Sequence, residues 1–146
     1  MAAEAVLYPK LKPILNQYPK IRLEIVVDDR WADIVKKGFD MGVRLGNKVA
    51  KEMIAVPISA PLKMVLVASP NYLAQHGSPK NIDDLQQHRL IGIKLSAEHG
   101  TEMQWEFKYK KELITFTPKS QFSINNHLRL QAASDGLGIA WIAHMS

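Results

Sequence analysis

The chain has no cysteine in its 146 residues. That excludes a disulfide framework, thiolate metal sites and thiol catalysis. Long apolar runs are missing too, and no stretch approaches the roughly 20 residues needed to span a bilayer. The start, Met1 to Leu7, lacks a basic segment and carries Glu4 inside its apolar stretch, so it does not read as an export signal. A cytoplasmic location is the default expectation. The chain holds five histidines, but none forms a pair at metal-ligand spacing. There is no Gly-x-Ser-x-Gly elbow for a nucleophile. Gly136-Leu-Gly138 follows a helix, whereas a phosphate-binding loop precedes one. We therefore expect no enzyme, no cofactor and no metal.

What is present is the balance of a folded protein. Hydrophobic residues make up 47% and charged residues 23% of the chain. The net charge of +5 invites comparison with nucleic-acid binders, but the nineteen Lys and Arg are scattered. Their tightest group is only Lys108, Lys110 and Lys111. Phosphate backbones are bound by stripes or patches, so direct DNA contact by this segment is not expected.

The most informative stretch runs from Leu23 to Gly46. A continuously apolar strand, Ile21 to Val27, leads into Asp28 and Asp29. A short helix from about Trp31 to Lys37 stops at Gly38, and a second strand, Phe39 to Leu45, ends in Arg44-Leu-Gly46. This pattern predicts a βαβ unit with a parallel pair, followed by a third strand over Met53 to Ile58. Before it, Ala2 to Tyr18 carries a helical stripe, with Pro9 and Pro13 forcing a late start or a kink.

Past Pro57 and Pro61 the pattern changes. Leu62 to Ala68 reads as a strand, and Ser69-Pro70 opens a helix that Gly77 ends. Asn81 caps a helix over Ile82 to His88, and Leu90 to Leu95 is a strand. A hairpin-like pair, Met103 to Lys110 and Leu113 to Thr117, turns near Lys110-Lys111-Glu112. Phe122 to Ile124 is a short strand. Asn125-Asn126 then caps a helix from His127 to Ser134, and Ile139 to Ile142 is the last strand. Gly136 and Gly138 read as a helix stop and a tight strand entry. His88 reads as a C-terminal helix cap, and His76 and His99 as solvated loop residues.

Ligands of open α/β sheets settle beyond the carboxyl ends of strands. Asp28, Asp29, Arg30, Arg44 and Gly46 fall at such ends in the first half, and Asn125, Asn126 and His127 in the second. Arg44 suits a carboxylate or phosphate, which a guanidinium binds through two parallel hydrogen bonds. An ion pair with Asp28, Asp29 or Asp40 is the plainer reading of the same residue. Backbone amides at the start of the helix after Asn126 would accept an anion. Trp31, Trp105 and Trp141 read as packing residues, with only Trp31 near these positions.

Five segments carry a resemblance. They are Tyr18-Pro-Lys-Ile-Arg-Leu-Glu24, Phe39-Asp-Met-Gly-Val-Arg-Leu-Gly46, Val65-Leu-Val-Ala-Ser-Pro-Asn-Tyr-Leu-Ala74, Asp84-Leu-Gln-Gln-His-Arg-Leu-Ile-Gly92 and Ala132-Ala-Ser-Asp-Gly-Leu-Gly-Ile-Ala140. In this order they resemble the effector-binding domain of LysR-type transcriptional regulators. The resemblance implies an α/β fold of the type 2 periplasmic-binding-protein kind, with two subdomains and an interdomain cleft. Residues 1–60 would form an incomplete subdomain I, and residues 61–146 a crossover strand and subdomain II. It implies a small effector, probed above all by Arg44, Asn125 and His127, and a homo-oligomer, a dimer that assembles into a tetramer in the parent. The first strand of the domain would precede Ala2, and a return to subdomain I would follow Ser146. The helix-turn-helix that touches DNA is expected outside this chain, which carries no DNA-binding domain. A solute-binding protein for transport is the alternative, and an enzyme using Asp28 or Asp29 is a third.

Overall fold

The computed structural model describes residues 3–28, 36–44, 52–94, 102–124 and 128–144. The chain divides into two units, Met1–Leu62 and Lys63–Ser146.

The first unit opens with a π-helical turn, Ala3–Leu7, continued by α1, Tyr8–Gln17. Pro9 sits in the first turn of α1, where a missing amide costs nothing, and Pro13 lies inside it. A wide turn ahead of a proline-bearing helix is the irregular start expected from these two residues. Tyr18 leaves helical angles at φ −123°, as a residue before proline must. Gly38 adopts φ +72° and stops the turn at 36–38, the place where the sequence puts a helix end.

The strands expected at 21–27, 39–45 and 53–58 are not observed among the described residues, and the parallel pair expected there is absent with them. Their apolar side chains stay open to solvent: Ile54 is 93% and Met41 81% exposed. Apolar patterning selects an extended conformation, but a ladder also needs a partner edge about 4.8 Å away. Periodicity says nothing about that partner.

The second unit holds a mixed four-stranded sheet. Its strands are β1 (Lys63–Val67), β2 (Leu90–Gly92), β5 (Phe122–Ser123) and β6 (Ile139–His144), in the spatial order β1-β6-β2-β5. β2 runs parallel to both β5 and β6, and β1 runs antiparallel to β6. A separate hairpin pairs β3 (Trp105–Tyr109) with β4 (Glu112–Phe116).

Alternation along the central strands divides the core in two. Leu90, Ile139 and Trp141 pack with Tyr72, Leu85, Ile93, Trp105 and Phe116 in one cluster. Ile91 and Ala140 meet Ala132 and Ala133 of α3 (Leu128–Ser134) in the other. Trp105 and Trp141 stack at 6.3 Å, which bears out their role as packing residues.

Local punctuation works as expected here. Ser69 caps α2 (Pro70–His76), its hydroxyl accepting the Tyr72 amide at 3.1 Å, and Gly77 ends the helix at φ +79°. Asn81 and Asp84 form a reciprocal capping box: the Asp84 amide donates to Asn81, and the Lys80 and Asn81 amides donate to the Asp84 carboxylate. The Lys80 amide bond chiefly holds that carboxyl below its ordinary pKa. This contribution to stability is present above the ordinary carboxylate range and fades as pH falls through the lowered value.

Two local expectations need correction. The capped element is a 3-10 helix, Asp83–Gln87, rather than an α-helix to His88, because five residues close with i→i+3 bonds before an α-turn can propagate. His88 is the C-cap residue of this helix, its amide donating to the Leu85 carbonyl at 3.2 Å, and its ring Nδ1 lies 3.1 Å from the Tyr72 hydroxyl. His76 is part of α2, stacked on Tyr72 at 4.4 Å and donating to the Tyr72 carbonyl.

The hairpin turn carries Lys110 at φ +46° and Lys111 at φ +76°. Two successive left-handed residues define a type I′ turn, which favours Asn-Gly. Lys110→Asn with Lys111→Gly is expected to stabilise the chain by about 1 kcal/mol, net of the exposed Lys110–Tyr109 cation–π contact it removes. A urea titration that shows no rise in midpoint would contradict this.

Candidate functional site

Of the residues singled out in the first half, Asp28 and Arg44 are described. The Asp28 carboxylate receives Lys37 Nζ at 3.5 Å, so part of its charge is already answered within the unit. The Arg44 side chain is exposed. Asp29, Arg30 and Gly46 lie outside the described residues, as do Asn125, Asn126, His127, Trp31 and His99.

In the second unit the carboxyl ends of the parallel strands β2 and β5 lie side by side, with Gly92 paired to Ser123. The ladder runs one step further, the Ile124 amide donating to the Gly92 carbonyl at 3.1 Å.

A polar cluster that sequence reasoning missed stands at the same edge. The Glu102 carboxylate accepts from the Ser120 and Ser123 hydroxyls and from the Ser120 amide. The two hydroxyl oxygens are 2.7 Å apart. Glycine at position 92 makes room for this: a Cβ there would lie 2.4 Å from Ser120 Oγ. Glu102 has no ion-pair partner among the described residues, although Lys94 is its backbone partner in an isolated antiparallel bridge. Sequence gave little warning, because the serines lie eighteen and twenty-one residues further along.

Arg129 was missed as well. It is 3% exposed, and its guanidinium donates to the Trp141 carbonyl at 2.9 Å. Burial pushes its pKa down from the ordinary arginine value. The signal available was spacing: Arg129, Ala132 and Ala133 share one helical stripe, and two alanines leave space beside a long side chain.

A hollow of about 180 Å³ is lined by Val67, Ala68, Ser69, Pro70, Leu130, Ala133 and Ser134. It is smaller than ordinary ligand sites of roughly 300 Å³ and more. The Ser69 hydroxyl is already committed to the Tyr72 amide, which leaves few polar groups to orient a guest. No group of three or more His, Asp or Glu suited to a metal occurs among the described residues, nor any helix long and apolar enough to cross a membrane.

The chain is similar to known proteins over nearly its whole length. The HTH-type transcriptional regulator PgrR of Escherichia coli is 31% identical over 144 residues, which cover 98% of this chain and 48% of that protein. A protein of Pseudomonas aeruginosa is 38% identical over 138 residues, 94% of this chain and 45% of its own length. The chain thus spans about half the length of these relatives. Among solved structures, the regulatory domain of AphB from Vibrio vulnificus matches with a TM-score of 0.81 and 26% identity, over 97% of this chain and 70% of that one. The shared fold is that of LysR-type regulatory domains, of the type 2 periplasmic-binding-protein kind. The family description "LysR substrate binding domain" matches residues 1–146, and the chain belongs to that family.

Proposed function

We propose that this chain is the effector-sensing part of a bacterial transcriptional regulator and binds a small anionic molecule to control DNA binding elsewhere in its parent. The observation that carries this reading is the family match along all 146 residues. Arg44 makes the anion contact. Asp28, Asp29, Arg30 and Gly46 flank it in sequence, and Asn125, Asn126 and His127 contribute from the second unit. The bound molecule works only through its different affinity for two arrangements of the parent, which acts as a homo-oligomer. No bond is broken in this process, and no nucleophile–base pair is invoked.

The test is thermal stabilisation by a panel of carboxylates, dicarboxylates and amino acids. A ligand at 100 times its Kd adds about 2.7 kcal/mol to the folded state. Arg44→Ala is expected to weaken such a ligand by a factor of about 10 to 100, the value of one charge-assisted contact. Unchanged stabilisation in Arg44→Ala removes this arginine from the site.

A further inference from the structure

Glu102 differs from Asp84 and Asp135 of the same unit. Asp84 is consumed by the amides of Lys80 and Asn81, and Asp135 takes the Gln131 side-chain amide at 2.9 Å. Both serve local turns. Glu102 instead stands part-buried at the carboxyl ends of β2 and β5, held among the described residues by neutral groups.

The proton inventory of this cluster is lopsided. Among the described residues its donors are the Ser120 amide and the two serine hydroxyls. Its acceptors are the carboxylate, with about four lone-pair sites, and the same two hydroxyl oxygens, with two each. Acceptors outnumber donors by more than two to one, and the group is negative. The complementary guest is a positive group rich in donors, and an ammonium offers three protons and one charge.

We propose that Glu102, with Ser120 and Ser123, forms a subsite for a protonated amine on the effector. This rests on the effector-binding reading above and deepens it. An anionic effector that also carries an ammonium has the chemistry of an amino acid or a short peptide. A cluster that merely ties residues 120–123 to β2 would serve every ligand alike. An ammonium subsite discriminates by charge.

The experiment therefore uses matched pairs on the 146-residue chain: common amino acids, each beside the carboxylate lacking its amine, such as glutamate beside glutarate and alanine beside propionate. Thermal shift finds the pairs that bind, and calorimetry gives their Kd. The expected result is at least one amino compound bound tenfold or more tightly than its partner. Glu102→Gln erases that preference, and Ser123→Ala reduces it. Equal binding of both members, or equal loss of both in Glu102→Gln, overturns the amine subsite and leaves effector binding standing. No shift by any member of either series overturns both. Should Glu102→Gln fail to fold, the matched pairs on the unaltered chain decide the question alone.

Discussion

Gly138→Ala is expected to destabilise the chain by about 3 kcal/mol or more, the range reached when backbone strain and overpacking coincide. Gly138 has φ +153°, and a Cβ there would lie 2.4 Å from the Arg89 carbonyl oxygen and 2.9 Å from its carbon. Backbone cannot rotate aside as a side chain can. The same oxygen accepts the Ile139 amide at 2.9 Å, the bond with which β6 joins β2. A methyl group thus pries at the first rung of the parallel pair, next to the buried Leu90 and Ile139. Gly77→Ala is the control. Gly77 has φ +79° but nothing within 4 Å of its added Cβ, so only conformational strain of about 1 kcal/mol applies. Urea midpoints at unchanged slope measure both. Equal losses at the two positions would show that the close approach to Arg89 contributes nothing.

That glycine was legible because its signal is local. Gly136 ends α3 at φ +83° and Gly138 admits the strand, both within a few residues of the elements they bound. Ser69-Pro70, Gly77 and the Asn81–Asp84 box were readable for the same reason: each satisfies orphan amides or carbonyls of the helix end beside it. The first half shows the opposite case. Its apolar runs at 21–27 and 53–58 have strand composition, yet a ladder is a relation between segments far apart in sequence. The Asp83–Gln87 helix failed more narrowly, since hydrophobic period does not separate one 3-10 turn from the start of an α-helix.

The candidate site divides in the same way. Arg44 and Asp28 were singled out by residue type at predicted strand ends, and no strand is observed at either place among the described residues. Glu102 reads from sequence as one more charged residue near a loop. Its character comes from Ser120 and Ser123, brought to it by the pairing of β5 with β2 and by the bare backbone at Gly92. Only the fold makes that pairing visible.

Arg129→Ala is expected to cost about 3 kcal/mol, and the reason distinguishes it from an ordinary surface arginine. The side chain is buried between α3 and β6, so truncation leaves a cavity, worth roughly 2 kcal/mol or more. It also removes a charge-assisted bond to the Trp141 carbonyl, worth roughly 1.5 kcal/mol or more. Against these stands the relief of desolvating a guanidinium, the effect that lowers its pKa. Arg129→Met separates the terms. Methionine fills most of the volume and carries no charge to desolvate, so its cost should fall to about 1 kcal/mol. Arg129→Lys keeps a charge in the same buried place without the planar fork that reaches the carbonyl, and should be worse than methionine. The order of urea midpoints, methionine above lysine and alanine, is the measurement. Lysine equal to the native arginine would show that the charge alone, and not the guanidinium geometry, holds α3 to β6.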